Sequence, residues 1–158
     1  MTEGVRSVEE ISDRLEINDL LVRYAEAIDS RDWKLLDTCF TTDAKVDYTS
    51  SGGIAGRYPE VRAWLEQVLA LFPAYMHLIG NIAVSFEDGG AKAKTYVINP
   101  MQFEAPDGSR GGFTVAAYYH DRLVRTGDGW RIAERTEELV LTEGSLPDAL
   151  TGKGGDDG

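Results

Sequence analysis

The sequence is poor in cysteine and in histidine, with one cysteine and two histidines among 158 residues. A single cysteine excludes an intrachain disulfide. Because Cys39 lies in an apolar, helix-like run without basic neighbours, we interpret it as a small buried side chain and not as a nucleophile. Two separate histidines provide neither of the common paired-histidine metal motifs. We therefore expect a protein without a metal or another cofactor.

Positive charge is scarce, and long apolar runs are lacking. The chain has 16 lysines and arginines against 27 acidic residues, which gives a formal net charge of −11. Nucleic acids and anionic membranes are bound by basic patches, so we expect neither as a partner. No apolar run approaches the roughly 18 residues of a membrane-spanning helix. The first residues also lack the apolar segment of a signal peptide, and we expect a cytoplasmic protein.

Three helices are predicted in the first half of the chain. Ser7 and Glu10 have the spacing of a capping box, which marks the start of the first helix. Apolar residues then recur at helical spacing, and prolines mark one further start and stop. These patterns predict helices over about residues 8–28, 33–40 and 59–72.

The second half of the chain has the composition of strands. After a first short strand over residues 45–49, four segments rich in Val, Ile, Tyr, Phe and Thr are predicted as strands, over residues 76–86, 91–104, 112–125 and 130–142. Asp-Gly pairs separate these four segments, as is typical of hairpin turns. Helices followed by such strands predict an α+β domain, in which the helices pack on one face of a curved antiparallel sheet.

The domain is predicted to occupy residues 8–142. Residues 1–7 form an N-terminal extension, and residues 143–158 form a C-terminal tail. The end of this tail is rich in Gly and Asp, a composition that predicts disorder.

Two side chains are candidates for proton transfer. His77 lies in an apolar, strand-like run, and Asp29 ends the predicted first helix beside its apolar stripe. If the two meet, the carboxylate would orient the imidazole ring and keep it basic. The alternatives are a structural histidine bonded to the backbone and an aspartate that caps the following turn.

Two phenols are candidate hydrogen-bond donors near this pair. Tyr24 lies on the apolar stripe of the first helix, and Tyr48 ends the first strand. Either hydroxyl is able to donate to a substrate oxygen or to a leaving group. Ordinary core packing, with only the hydroxyl bonded, is the alternative for each.

Strand alternation adds candidate pocket residues. It places Asn81 on the same face as His77, and Asn99 and Met101 are candidates for the same cavity, although the alternation near Pro100 leaves their side open. The second histidine, His120, has charged neighbours and is predicted at the surface or at an interface.

Five segments together resemble the SnoaL-like branch of the nuclear transport factor 2-like superfamily. They are residues 24–33, 40–44, 46–48, 77–81 and 128–132, and the resemblance covers about residues 8–142. The fold that this resemblance implies is a cone, with a strongly curved antiparallel sheet wrapped around helices. A deep apolar pocket is implied at its open end.

Within that branch, the chain is similar to scytalone dehydratase, the bile-acid dehydratases and hexachlorocyclohexane dehydrochlorinase. In those enzymes an Asp orients a His, which removes a proton from carbon while a neighbouring group departs. The resemblance implies these roles for Asp29 and His77, and hydrogen-bonding roles for Tyr24 and Tyr48. It thus implies a cofactor-independent lyase, of the dehydratase or dehydrohalogenase type, or an isomerase, with a small hydrophobic ring compound as substrate.

The pocket is expected to be greasier than that of scytalone dehydratase. That enzyme has a tyrosine at the position of Ile28 and a second histidine near Met101. It has a serine and an asparagine near Ala116 and Tyr118. We expect the residues of this chain at these four positions to line the pocket.

Other functions of the same fold stay open, since one fold carries several functions. The alternatives are a non-catalytic small-molecule-binding or assembly module, and a polyketide-type cyclase or isomerase. Many domains of this shape pair through the outer face of the sheet, so we expect a homo-oligomer, either a dimer or a trimer. Tyr118, Tyr119 and Trp130 are candidates for that surface, because aromatic residues are enriched at interfaces.

Overall fold

Ser7 caps the first helix by accepting the Glu10 amide, which is half of the predicted capping box, and this helix carries Asp29 and Tyr24 of the candidate site. The structure, a computed structural model, describes residues 4–145. Its helices are α1 (Val8–Ser30), α2 (Trp33–Asp37) and α3 (Tyr58–Leu69). Its strands are β1 (Phe40–Asp47), β2 (Ala55–Arg57), β3 (Ala74–Tyr75), β4 (Leu78–Glu87), β5 (Gly90–Glu104), β6 (Arg110–Thr126) and β7 (Gly129–Gly144). The predicted α+β class, with helices before long strands, is confirmed.

Several element boundaries differ from the predictions, and two of the differences have a clear consequence. The second helix ends at Asp37, and Phe40 begins β1. Tertiary pairing overrides the helical pattern here, because the Ile132 amide donates to the Cys39 carbonyl at 2.8 Å. At the other end, β7 continues to Gly144, two residues past the predicted domain boundary. The predicted disordered tail lies, from residue 146 onward, outside the described residues.

The seven strands form one mixed sheet in the order β2-β1-β7-β6-β5-β3, and β4 also pairs with β5. The pair β1–β7 is parallel, and the other pairs are antiparallel. This corrects the prediction of a wholly antiparallel sheet. The parallel pair is possible because about half of the chain separates the two strands, far more than the crossover that a parallel connection requires.

Register shifts bend the long strands. In the pairing of β6 with β7, Val140 and Ala133 are extra residues of β7, and β4 has a shift between Gly80 and Ala83. Bulges of this kind curve a sheet and increase its twist. The curved sheet, left open at its edges, packs its inner face against α1 and α3.

The hydrophobic core lies between the inner face and the helices. Its fully buried aliphatic side chains each stabilise the fold by about 1.5–3 kcal/mol. They include Ile17, Leu20, Leu21, Ile28, Leu36, Val61, Val97, Leu123 and Ile132. Cys39 is buried in this core, as its interpretation from the sequence requires, and burial raises the pKa of its thiol. Within residues 4–145, the structure has no helix with both the length and the apolarity to cross a membrane.

Candidate functional site

The C-terminal end of α1 is fastened to the segment that precedes β4. The Tyr75 hydroxyl donates to the Ile28 carbonyl at 2.9 Å, and the Arg31 guanidinium donates to the Phe72 carbonyl at 2.6 Å. Arg31 itself has the left-handed conformation of a helix C-cap, with φ of 58°. These contacts satisfy carbonyls at the helix end and bring Asp29 next to His77.

Asp29 holds His77 through two hydrogen bonds. Its Oδ1 lies 2.7 Å from His77 Nδ1, and its Oδ2 accepts the His77 backbone amide at 2.8 Å. The His77 side chain is 9% exposed and that of Asp29 is 27% exposed. A carboxylate accepts only, so Nδ1 carries the proton and Nε2 presents its lone pair. The structure thus brings the two candidates together, and the ring has one fixed orientation.

Asn99 lies at the other side of the ring. Its side-chain amide nitrogen is 2.7 Å from His77 Nε2 and donates to the lone pair. Asn99 is 6% exposed and points inward from β5. The imidazole is therefore bonded at both nitrogens, and any ligand that contacts Nε2 has to displace the Asn99 amide.

His77 and Asn99 line a cavity of about 340 Å³ between the sheet and the helices. This volume lies in the range of small-molecule sites. Most of its lining is aliphatic or aromatic, and it includes Trp64, Leu65 and Phe72. A small apolar molecule therefore fits this space better than a charged one.

Tyr24 and Tyr48 also line the cavity, and their hydroxyl oxygens are 2.9 Å apart. Burial raises the pKa of both phenols well above the ordinary value of 10. The same cause acts on Tyr119, a third phenol of the cavity wall. All three hydroxyls stay protonated and serve as neutral hydrogen-bond donors.

A buried ion pair lies beneath the phenols. Arg135 donates to both carboxylate oxygens of Asp121 at 2.7 Å, and both side chains are fully buried. The guanidinium carbon lies 4.2 Å from the centre of the Tyr24 ring and 4.1 Å from that of Tyr119. Such stacking fixes both rings against the sheet and places positive charge behind them.

Glu137 is a buried acid in the cavity wall. It is 8% exposed, and the Ser51 hydroxyl donates to its Oε1. Burial raises the pKa of this carboxyl above its ordinary value. The protonated form of this carboxyl, which donates as well as accepts, therefore persists to higher pH than that of an ordinary glutamate.

The pocket residues inferred from the resemblance divide into two groups. Ile28 and Met101 line the cavity, whereas Ala116 and Tyr118 lie on the outer face of the sheet. This corrects the expectation for the latter two. The inward side chains of β6 have odd numbers, such as Tyr119, so the matched positions were one residue out of register.

Asn81 also lies outside the cavity wall, which corrects its predicted place beside His77. Its φ of 46° marks the irregularity between Gly80 and Ala83, where one extra residue reverses the alternation of β4. Asn tolerates this left-handed conformation better than most residues. The side chain is exposed at the surface, and Ile82 instead of Asn81 points toward the core.

Sequence reasoning missed Arg135, Glu137 and Tyr119. The stretch around Arg135 and Glu137 is rich in charge and reads as a solvated strand. The extra residue Ala133 also hides the alternation that places both side chains inward. The usable signal was a pair of opposite charges, because Asp121 of β6 and Arg135 of β7 lie directly opposite each other across the two strands.

The second histidine takes no part in the cavity. His120 is exposed on the outer face, as predicted, and its Nε2 lies 2.6 Å from Glu138 Oε2. Across residues 4–145, no three His, Cys, Asp or Glu side chains are grouped so that they could hold a metal ion.

Comparison with known proteins gives a consistent family. The SnoaL-like domain family matches residues 9–136. An uncharacterized protein of Mycobacterium tuberculosis is 50% identical over 131 residues, which cover 83% of this chain and 88% of that protein. A solved structure from Novosphingobium aromaticivorans, named as an aromatic ring hydroxylase, is 30% identical. Its TM-score is 0.76, and the match covers 86% of this chain and 95% of that one.

Two further solved structures share the fold at lower identity. A protein of Novosphingobium aromaticivorans, named as a scytalone dehydratase, is 17% identical with a TM-score of 0.76 and covers 87% of this chain and 91% of its own. A hexachlorocyclohexane dehydrochlorinase from Novosphingobium barchaimii is 18% identical with a TM-score of 0.73 and covers 87% and 93%. The domain match over most of the sequence, and the mycobacterial relative over a similar span, show that the chain belongs to the SnoaL-like domain family of the nuclear transport factor 2-like superfamily.

Proposed function

We propose that this protein is a cofactor-independent lyase that removes a proton from carbon in a small hydrophobic ring compound. The observation that carries the proposal is the bond of 2.7 Å between Asp29 and His77, at the wall of an apolar cavity. A carboxylate that fixes the ring through Nδ1 leaves Nε2 as the base. The names of the solved relatives, an aromatic ring hydroxylase, a scytalone dehydratase and a dehydrochlorinase, support a ring compound as the substrate class.

In the proposed reaction, the substrate displaces the Asn99 amide and presents an acidic C–H bond to His77 Nε2. Asp29 stabilises the imidazolium that forms, because its carboxylate already accepts the Nδ1 proton. Because the hydroxyls of Tyr24 and Tyr48 share one hydrogen bond, the phenol whose proton is not used in that bond donates to the oxygen that gains negative charge. A group on the neighbouring carbon then departs, and a double bond forms. A general base of this kind contributes on the order of 10²–10⁴ in rate.

The same first step also serves an isomerase or a polyketide-type cyclase. The carbanion would then be reprotonated at another carbon, or it would attack a carbonyl of the same molecule. These alternatives differ from elimination in the product and not in the base. Mass spectrometry of the product distinguishes elimination from both alternatives, because only elimination changes the substrate mass.

The proposal is tested with a panel of cyclic ketones that carry a hydroxyl, a chloride or no substituent at the β-carbon. We expect turnover of at least one substituted member. His77→Gln should lower kcat/KM by a factor on the order of 10²–10⁴. His120→Gln is the matched control, because His120 is exposed on the outer face, and it should leave turnover unchanged. Full activity of the His77→Gln protein would contradict the proposal.

The second candidate function, an assembly module, is favoured by one feature of the outer face. Four apolar residues lie side by side across β4, β5, β6 and β7, and we call them the outer row: Leu78, Ile98, Ala116 and Leu141. Three of them are at least 43% exposed. We propose that this row is the contact of a homo-oligomer, which is compatible with catalysis on the inner face.

A further inference from the structure

We propose that Glu137 is a second catalytic residue, which donates a proton to the departing oxygen of the substrate. The inference rests on the proposed function, in which His77 removes the proton from carbon. It also narrows the substrate class to ring compounds whose leaving group is a hydroxyl. The motifs of the sequence assigned no catalytic role to Glu137.

The position of Glu137 fits a group that acts on the substrate. It points inward from β7, and its carboxyl and the His77 ring line the same cavity. Oε1 is held by the Ser51 hydroxyl, whereas Oε2 has no hydrogen-bond partner among residues 4–145. One oxygen is thus anchored to the protein, and the other is left for a ligand.

The backbone around Glu137 is fastened on both sides by one serine. The Ser50 hydroxyl donates to the Glu137 carbonyl at 2.8 Å and accepts the Leu139 amide at 3.0 Å. Ser50 and Ser51 belong to a short 3-10 turn, Thr49–Ser51, which directly follows Tyr48. This turn therefore fixes the acid relative to the phenols, as a precisely aligned proton donor requires.

The surroundings of Glu137 favour the protonated acid. Burial is the largest influence and raises its pKa, and the carboxylate of Asp47 acts in the same direction. Arg135 and His77 lower it, but Arg135 already forms a bidentate pair with Asp121. Because burial exceeds these opposing influences, the carboxyl holds its proton to higher pH than an ordinary glutamate.

Glu137 is a better acid for this step than the phenols. Burial raises the pKa of Tyr24 and Tyr48 well above 10, so that neither gives up a proton readily. Hydroxide is a poor leaving group and has to be protonated as it departs, whereas chloride is not. A carboxylic acid whose pKa lies nearer to neutral pH matches that requirement.

In the proposed step, the substrate loses a proton from carbon and a hydroxyl group from the neighbouring carbon. His77 Nε2 takes the proton from carbon, and the electrons of that C–H bond form the new carbon–carbon double bond. The electrons of the carbon–oxygen bond leave with the oxygen, which takes the proton of Glu137 and departs as water. The products are an unsaturated ring compound, water, protonated His77 and ionised Glu137. A proton transfer from His77 to Glu137 restores both groups.

Leaving-group dependence tests this assignment. The wild-type protein, Glu137→Gln and His77→Gln are compared on a β-hydroxy cyclic ketone and on its β-chloro counterpart. Glutamine keeps the acceptor for Ser51 but has no acidic proton. We expect Glu137→Gln to lower kcat/KM for the hydroxy ketone by a factor on the order of 10²–10⁴ and to leave the chloro ketone nearly unchanged. The control Glu138→Gln, at the next residue on the outer face, should change neither.

Infrared spectroscopy tests the proton without any substrate. The wild-type protein should show the carbonyl band of a protonated carboxylic acid at pH values above the ordinary range of a glutamate, and Glu137→Gln should lose this band. Ser51→Ala removes a hydrogen bond that lowers the pKa of Glu137, so the band should persist to higher pH. If Glu137→Gln fails to fold, the shift of the band in Ser51→Ala still tests the assignment.

Two results would overturn the assignment of Glu137 alone. They are an equal loss for both leaving groups in Glu137→Gln, and the absence of a protonated-acid band that depends on Glu137. Full activity of His77→Gln, or no turnover of either ketone, would instead overturn the proposed function and this step with it. The two failures are therefore distinguishable.

Discussion

At the scale of single residues, the site is a line of hydrogen bonds from Asp29 through the His77 ring to Asn99. Each end of the line has a separate effect. Asp29 Oδ1 lies 2.7 Å from His77 Nδ1 and fixes the proton on that nitrogen. Asn99 Nδ2 lies 2.7 Å from His77 Nε2 and covers its lone pair. In the proposed function, the first contact orients His77 as the base, and the second shields Nε2 until the substrate displaces the Asn99 amide.

Glu137 gives a prediction for the pH dependence of stability. An acid with a raised pKa binds more protons in the folded than in the unfolded state between its two pKa values. The free energy of unfolding therefore falls as the pH rises from the ordinary value of 4.5 through the folded-state pKa. Glu137→Gln should remove that fall, and urea unfolding at a series of pH values measures it. Glu138→Gln is the control, and curves of identical shape for wild type and Glu137→Gln would contradict the burial argument.

Some of these residues were predictable from the sequence and others were not. His77 stands out because it lies in an apolar run, and Asp29 because it ends a helix beside its apolar stripe; a polar group in such a place has to find a partner. Glu137 interrupts no apolar pattern, since its neighbours in sequence are themselves charged. Its burial arises from the extra residue Ala133 of β7, which no local propensity encodes.

At the scale of elements, β6 and β7 supply the buried ion pair that lies beneath the phenols of the site. Their inward residues Asp121 and Arg135 are direct cross-strand partners. The pair is fully buried, and its guanidinium stacks on Tyr24 of α1 and on Tyr119. The ion pair thus joins the sheet to the first helix.

Breaking this pair should be costly. Asp121→Asn would leave the Arg135 guanidinium buried without a counter-charge, which typically destabilises a protein by about 3–5 kcal/mol. The adjacent pair of the same two strands, Arg122 and Glu134, is 46% exposed on both sides and provides the control. Glu134→Gln should cost at most about 1 kcal/mol. Urea unfolding compares the two variants, and equal losses would contradict a structural role for the buried pair.

The elements themselves were largely predictable, because their signals are local. The Ser7 cap and the Asp-Gly turns set the start of α1 and the ends of the long hairpins within a few residues. The parallel pairing of β1 with β7 was not predictable, because it joins residues that lie about ninety positions apart in the sequence. Nor were the bulges, which follow from how the sheet curves around the helices.

At the scale of the whole molecule, the two faces of the sheet differ in the side chains that they present. The inner face carries the cavity, and the outer face carries the outer row of apolar side chains. The predicted aromatic surface is corrected in part, because Tyr119 and Trp130 are buried, whereas Tyr118 packs against Tyr96 on the outer face. An exposed apolar row beside aromatic rings is the kind of surface that oligomers cover.

A substitution in the outer row tests the proposed homo-oligomer. Ile98 is 43% exposed at the middle of the row, and Ile98→Lys would place a charge in the contact. We expect the wild-type protein to sediment as a dimer or trimer, and Ile98→Lys as a monomer with unchanged circular dichroism. Ile11→Lys is the matched control, because Ile11 is 47% exposed on α1. A monomeric wild type at all concentrations would rule out this use of the outer row.

The most direct test of the central claim is the loss of deuterium from carbon. A β-hydroxy cyclic ketone, labelled with deuterium at the carbon between the two functional groups, is incubated with protein in ordinary water and followed by NMR. The wild-type protein should remove the label, and His77→Gln should do so more slowly by a factor on the order of 10²–10⁴. Equal rates of label loss with both proteins would show that His77 is not the base.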